Sequence, residues 1–414
     1  MKQHEDVERL NLQSHHNAAS NSDEFVMEAV ITYDKMATLL HELLAVEAWC
    51  DYVFPLIKSR IAEKNNVRAY FIMYHEATVA NLFEVFTYYD YACEAMGDGL
   101  IDLVDWCVRK LRYLLAGSHL PPGGEPAEAK SSSIASESPA ASLDRQQRTL
   151  RFGTGVVALT ILRYLCEHMA KLPLGVSARL LDTHDNPLRL GPRLQKPPRT
   201  RAHDRAQQQK FQAQNWVEVE PANLLKLTQI EGQAWLAFYY LTCTAEARSR
   251  YHVTANRKGT ILRVRKYLNE VLLDQLPMLG DVQRYLDELT IVEPPPPTSA
   301  TSGFVLEQVP AIRDGIVAEV RAGGDWGGVA EAQLRTVFSG EDGKDADMKR
   351  WACVLANVYS MDAFDQFMGD PKCYECGKPA TKRCSRCKNV WYCGRECQVS
   401  GWEAHKPLCD VVAA

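Results

Sequence analysis

Eight side chains that bind soft metal ions are gathered near the end of this chain, in the order Cys373-x2-Cys376-x7-Cys384-x2-Cys387-x5-Cys393-x3-Cys397-x7-His405-x3-Cys409. They fall into four consecutive pairs, and each pair can grip one side of a tetrahedral Zn²⁺. Two closed four-coordinate sites consume all eight ligands and leave no position for a catalytic water, so two structural Zn²⁺ ions are implied. In the interleaved assignment Cys373, Cys376, Cys393 and Cys397 hold the first ion, while Cys384, Cys387, His405 and Cys409 hold the second. Sequential pairing is the alternative that spacing leaves open. A disulfide framework is the competing use of so many cysteines. Against it, the stretch from Met1 to Phe25 is polar and has no apolar signal core, which argues against a secretory route. Six further cysteines (Cys50, Cys93, Cys107, Cys166, Cys243 and Cys353) are scattered singly through apolar helical patterns and read as buried thiols of a reducing compartment.

Between the ligand pairs lie Lys378, Lys382, Arg383, Arg386, Lys388 and Arg395. Seven thiolates around two divalent ions leave a net charge of about −3, and nearby cations offset that excess at close range. Little positive field then remains to attract phosphate, so nucleic acid is not an expected partner. The ligand pattern, together with Arg386-Cys-Lys-Asn-Val-Trp-Tyr-Cys393 and Cys397-Gln398-x3-Trp402-x2-His405, resembles the MYND finger family at every ligand position. The resemblance implies a protein-interaction module for short proline-containing peptides, with Gln398 and Trp402 in the groove. Those two stand four residues apart, on one helical face. A flat indole packs on proline rings while an amide pairs with an extended backbone. The competing role for Trp402 is to plug a very small interior shared with Trp391, Tyr392 and Val399.

The elements that carry this finger are helical in pattern. Leu100, Leu103, Val104, Cys107, Leu111, Leu114 and Leu115 follow an i, i+3, i+4, i+7 stripe. Similar stretches run from Met36 to Lys58, Glu76 to Ala95, Val156 to Lys171, Asn223 to Thr244, Thr260 to Leu276 and Lys349 to Met368. An all-α body is expected, with helices stacked in antiparallel pairs as an armadillo-like solenoid. The expected division is an N-terminal helical region at 1–116, a flexible linker at 117–149 and a second helical region at 150–293 with a disordered basic loop near 186–214. A proline-rich connector at 294–303, a C-terminal helical region at 304–369 and the finger at 371–411 complete it. The longest apolar run, Val156 to Leu162, is too short to cross a bilayer, and the composition is that of an ordinary soluble protein: 46% hydrophobic, 24% charged, net charge −5. No membrane partner is expected.

Signatures of catalysis come out empty. His41-Glu42 and His75-Glu76 begin like zinc-protease helices, but the second histidine is replaced by Ala45 and Val79. Gly153-Thr-Gly155 mimics a dinucleotide loop, yet Asp144 to Arg151 is too polar for a buried parallel strand. Asp102 and Asp105 share a helix face, as solvated acids commonly do. MYND fingers also interrupt SET-domain lysine methyltransferases, but no segment like their cofactor-binding ones is present here. No catalytic residue is therefore assigned, and the chain is expected not to be an enzyme.

Several body segments, in order, resemble a family of ciliary MYND-finger proteins that help assemble axonemal dynein arms. They are Leu43-Leu-Ala-Val-Glu-Ala-Trp49 with Val53-Phe-Pro-Leu56, His75-Glu-Ala-Thr78, Asp102-Leu-Val-Asp-Trp-Cys107, Glu231-Gly-Gln-Ala-Trp235, Leu272-Leu-Asp-Gln-Leu-Pro277 and Val305-Leu-Glu-Gln-Val-Pro310. The basic stretch from Gly191 to Gln214 departs from that pattern. The resemblance implies a non-enzymatic adaptor, cytoplasmic, at the centrosome, centriolar satellites or dynein assembly particles. Its partners would be a leucine-rich-repeat ciliary assembly factor, heat-shock chaperones and co-chaperones, with dynein chains as clients. The alternative is a transcriptional corepressor adaptor, for which Arg193 to Arg205 is a dilute nuclear import signal.

Overall fold

Leu100, Leu103, Val104, Cys107, Leu111 and Leu114 are all at most 1% exposed in the computed structural model, so the stripe read from sequence is the buried face of one helix, Gly99–Leu115. Full burial of each large apolar side chain contributes about 1.5–3 kcal/mol, which makes such a face sufficient to fix the helix. The structure describes residues 2–20, 24–62, 66–116, 138–194, 200–204, 207–212, 215–220, 223–291, 308–338 and most of 373–409. The tetraproline at Pro294 to Pro297, residues 117–137 of the expected linker and the periodic stretch from Lys349 to Met368 lie outside the described residues.

The helices are α1 (Lys2–Ser20), α2 (Phe25–Thr32), α3 (Met36–Ala48), α4 (Phe54–Ile61), α5 (Asn66–Thr87), α6 (Asp90–Met96) and α7 (Gly99–Leu115). They continue with α8 (Pro139–Glu167), α9 (Leu174–Ala178), α10 (Asn186–Leu194), α11 (Gln229–Cys243), α12 (Ala245–Arg250), α13 (Ala255–Leu262), α14 (Glu270–Gln275) and α15 (Leu279–Ile291). After residue 307 come α16 (Gln308–Gly323), α17 (Trp326–Thr336) and, in the finger, α18 (Arg395–Ser400). The body is all-α as expected, apart from one small sheet. Its helices range from 5 to 29 residues, which leaves the regularity of an armadillo-like solenoid unestablished.

Helix α8 is the central element and packs along α5, α7 and α11. It starts well before the expected Val156, inside the segment read as a flexible linker. Ser138 caps its first turn by accepting from the Ala141 amide, and Pro139 stands in that first turn, where a missing N–H costs nothing. The result is a 29-residue helix that by length and composition passes the test for a membrane span, although 56% of its apolar window is buried inside the protein. Gly155 lets α8 approach α7: a Cβ there would meet Leu114 Cβ at 3.3 Å. The supposed dinucleotide loop is thus a helix crossing. On its other side α8 meets α11, whose start is fixed by a capping box between Thr228 and Glu231.

Two expectations are corrected. The stretch from Thr260 to Leu276 is not one helix: Arg263–Tyr267 tightens to a 3₁₀ turn, and Asn269 then caps α14 by accepting from the Leu272 amide at 2.9 Å. A side chain that bonds the backbone offers an alternative to continuing the helix. The 186–214 segment, read as a disordered basic loop, holds α10, β1 (Thr200–Asp204) and β2 (Gln207–Gln212), and the two strands form an antiparallel meander with β3 (Asn215–Val219) just beyond it, with Thr200 opposite Lys210 and Phe211 opposite Trp216. Buried Lys210 ties the meander to α11, its Nζ donating to Lys226 O at 2.7 Å and lying 3.4 Å from Glu231 Oε2. One of the charges taken for a solvated loop, that of Lys210, is spent on that contact.

The catalytic near misses are likewise absorbed by packing. His75 Nδ1 lies 3.0 Å from His4 Nδ1 of α1, with Glu42 at 3.2 Å from its Nε2. Glu76 accepts from Trp106 Nε1 at 3.1 Å and pairs with buried Lys110, which also reaches Glu47 at 3.3 Å. Asp105 pairs with His184 at 2.5 Å and Arg179 at 3.3 Å, while Asp102 pairs with Arg313 of α16. Cys50, Cys93, Cys107 and Cys166 are buried, and burial raises their thiol pKa values, which keeps them protonated.

Candidate metal centre

Two tight turns and one short hairpin assemble the finger. At the first turn the Cys373 amide donates to Lys378 O at 2.7 Å and the Tyr374 amide to Trp391 O at 2.9 Å; at the second, the Cys384 amide donates to Val390 O at 2.8 Å. These bonds set Lys382–Arg383 (β4) antiparallel to Trp391–Tyr392 (β5), with Lys382 opposite Tyr392. The hairpin thereby brings the first ligand pair to the third, across the second pair. Helix α18 follows and presents Cys397 one turn beyond Cys393.

The outcome is two clusters, Cys373, Cys376, Cys393 and Cys397 in one and Cys384, Cys387, His405 and Cys409 in the other, and within each the ligand atoms all lie within 4.8 Å of one another. The pairing is interleaved, and the sequential alternative is not the one adopted. Ligands about 2.3 Å from a central zinc in tetrahedral array stand about 3.8 Å apart, slightly less where an imidazole replaces a thiolate. The measured edges are 3.5 Å for Cys376–Cys393 and Cys393–Cys397, 3.9 Å for Cys384–Cys409 and 3.4 Å for Cys387 Sγ to His405 Nε2. A disulfide needs about 2.0 Å, so these are thiol ligands. The donor set and edges fit two structural zinc ions.

Backbone amides are aimed at the first cysteine of each cluster. Burial opposes ionisation of Cys373, but the amides of Cys393, Cys376 and Glu375 bring its pKa down to about 6. Cys384 is treated alike: burial raises it, and the amides of Cys387 and Arg386 with the His405 and Cys387 side chains bring it to about 6. Backbone N–H groups aimed at sulfur stabilise thiolate before metal arrives. His405 is 1% exposed and enclosed by the rings of Tyr374, Tyr392 and Trp402, at centroid distances of 6.1, 6.2 and 5.8 Å.

Trp402 and Gln398 are both half-buried, and the indole lies edge-on to His405. The helix carrying Gln398 closes at Gly401, so the two side chains sit on successive short helical segments. Trp391 is half-buried beneath Arg383, whose guanidinium carbon lies 4.2 Å from the ring centre. Val399, expected in the small interior, is 68% exposed; Ala380 and Tyr392 fill that place. Sequence reading also missed Glu375, which accepts from Ser400 Oγ at 3.0 Å and lies so close to Gly401 that a Cβ there would meet its Oε2 at 2.8 Å. A glycine following a ligand helix was the available signal.

Residues 373–409 match the MYND finger family. Along 98% of its length the chain is similar to the zinc finger MYND domain-containing protein 10 homolog of Drosophila melanogaster, 27% identical over 432 residues and covering 92% of that protein. Shorter likenesses are to ubiquitin carboxyl-terminal hydrolase 19 of Arabidopsis thaliana, 54% identical over 39 residues that make up 9% of this chain and 6% of that one, and to mouse protein CBFA2T2, 38% identical over 68 residues, 16% and 10% of the two chains. No solved structure matches. The two cross-braced Cys/His clusters are therefore those of a MYND finger, carried at the C-terminal side of a helical chain that resembles the fly MYND domain-containing protein along nearly all of its length.

Proposed function

We propose that this protein is a non-enzymatic adaptor and co-chaperone in the cytoplasmic preassembly of axonemal dynein arms for motile cilia. The finger captures a proline-containing peptide of a leucine-rich-repeat assembly factor through Gln398 and Trp402. The helical body engages heat-shock chaperones, co-chaperones and their dynein-chain clients. Joining two modest contacts in one chain raises overall affinity through effective concentration. The reading is carried by one observation: likeness to a MYND-finger relative extends over the body as well as the finger. A finger borrowed for an unrelated task would share only its own residues. Closed metal sites support it further, since every ligand position is filled by protein and the finger's surface is left for contact.

The test is affinity capture from ciliated-cell extract with the full chain, Trp402→Ala and Cys397→Ser. Trp402→Ala is expected to retain two zinc equivalents and to lose about tenfold in affinity for the finger's partner, the scale of a truncated aromatic anchor. Cys397→Ser is expected to lose metal and the finger fold together. Equal loss of zinc in both variants would make Trp402 a core residue. Capture of nuclear silencing proteins without any dynein chain or chaperone would end the assembly reading.

A further inference from the structure

A line of tyrosines crosses the surface where three helices meet. Tyr88 and Tyr89 occupy the turn before α6, and Tyr91 begins that helix; their rings meet at 5.0 Å (Tyr88–Tyr89) and 5.7 Å (Tyr89–Tyr91). Tyr88 then abuts Tyr164 of α8 at 5.4 Å. Arg163 continues the line, its guanidinium 4.7 Å from Tyr164 and 5.6 Å from Tyr240 of α11, and Tyr239 adjoins Tyr240 at 5.2 Å. Tyr88 is 57% and Tyr91 44% exposed, and the other rings are half-buried. Stabilising the fold does not require large aromatic faces turned to water, whereas tyrosine and arginine in contiguous array are the residues that anchor protein interfaces.

The charge around the line selects the partner. Glu24 accepts from Tyr89 Oη, Glu167 accepts from Tyr240 Oη at 2.7 Å, and Glu28, Asp90 and Asp281 act on Tyr91 and Tyr239. Glu167 and Asp90 are offset by Arg163 at 2.8 Å and by Lys171, and Asp281 by Arg284, so Glu24 and Glu28 carry the net charge beside Tyr89 and Tyr91. An acidic rim around open aromatic faces fits a guanidinium or ammonium, and the slot between Tyr164 and Tyr240 shows the same geometry filled by the chain's own arginine. We propose that the Tyr88–Tyr91 end of this line is a docking surface for an arginine- or lysine-bearing segment of a partner protein, whose cations stack on the two exposed rings. The inference rests on the adaptor reading and supplies the body's contact.

The test uses the full zinc-loaded chain and a fluorescein-labelled, capped dodecapeptide of alternating arginine and serine, followed by fluorescence anisotropy. Saturable binding is expected, with affinity reduced about fivefold or more by Tyr88→Ala with Tyr91→Ala, the loss of two exposed cation–π contacts. Tyr88→Phe with Tyr91→Phe should stay within about twofold of the parent, because the aromatic faces remain. Both rings can change without altering net charge, so non-specific attraction to an acidic protein would leave the alanine variant equal to the parent and overturn the proposal. Absence of saturable binding overturns it too, as does a dimer in sedimentation that the alanine pair abolishes, which would make the occupant a second copy. Trp402→Ala, run in parallel, should keep this peptide; failure here with finger capture intact removes this surface and leaves the adaptor reading standing.

Discussion

His4 and His75 face each other through Nδ1 atoms 3.0 Å apart where α1 lies on α5, an arrangement that allows one ring proton between them and excludes two. Burial first, and then the neighbouring imidazole, lower His4 from 6.5 to about 4; burial likewise lowers His75, against the pull of Glu42. An unfolded histidine takes its proton near pH 6.5 while the folded one resists until about 4. Docking of α1 is thus fully stable above that upper value and weakens as pH falls through the window. Hydrogen exchange, corrected for its intrinsic pH dependence, is expected to show α1 protection falling between pH 7 and pH 5, with His4→Leu flattening the change. Equal protection at both values would refute it. None of this was legible in sequence, where His75-Glu76 looked like half of a metal motif. The eight zinc ligands were legible because close spacing marks paired donors, whereas which pairs share an ion was settled only by the hairpin that joins the first pair to the third. The amides of Glu375 and Arg386 were not, since backbone hydrogen bonds leave no mark on residue type.

Helix α8 carries two glycines two residues apart that do different things. Around Gly153 a Cβ would meet nothing within 4 Å, whereas at Gly155 it would press on Leu114 at 3.3 Å. Replacing glycine by alanine inside a helix gains about 0.5–1 kcal/mol in backbone propensity. Gly153→Ala is accordingly expected to stabilise by about that amount, and Gly155→Ala to come out near zero as the crossing gives slightly. Gly155→Leu should cost about 1–3 kcal/mol by overpacking, read as a lower urea midpoint at constant slope. The same midpoint for both leucine variants, at 153 and at 155, would show that the crossing is not tight. Strong periodicity made α7 and α11 readable. The first turns of α8 were hidden because small and charged residues precede its apolar face, and the meander after α10 because its polar strands lack an alternating apolar side. Their pairing depends on contacts far along the chain, such as Lys210 with Glu231.

At the scale of the molecule, metal and helices hold separate parts. Among the described residues the interior of the finger contains its own residues only, while the main body core gathers α1, α2, α3 and the helices from α5 to α15. Withdrawing zinc with a strong chelator is therefore expected to abolish the Trp402 contact and the finger's ellipticity and to leave the thermal unfolding of the body unchanged, as calorimetry would record. A shift of the body's transition on chelation would show that the two parts are coupled. The interleaving of ligands has a consequence for how the module can be lost. Because each ion draws two donors from before Cys393 and two from Cys393 onward, neither site can be completed from one half of the finger alone. A single backbone cut between Cys387 and Cys393 separates two donors of each ion from the other two, so one proteolytic event disarms both sites together.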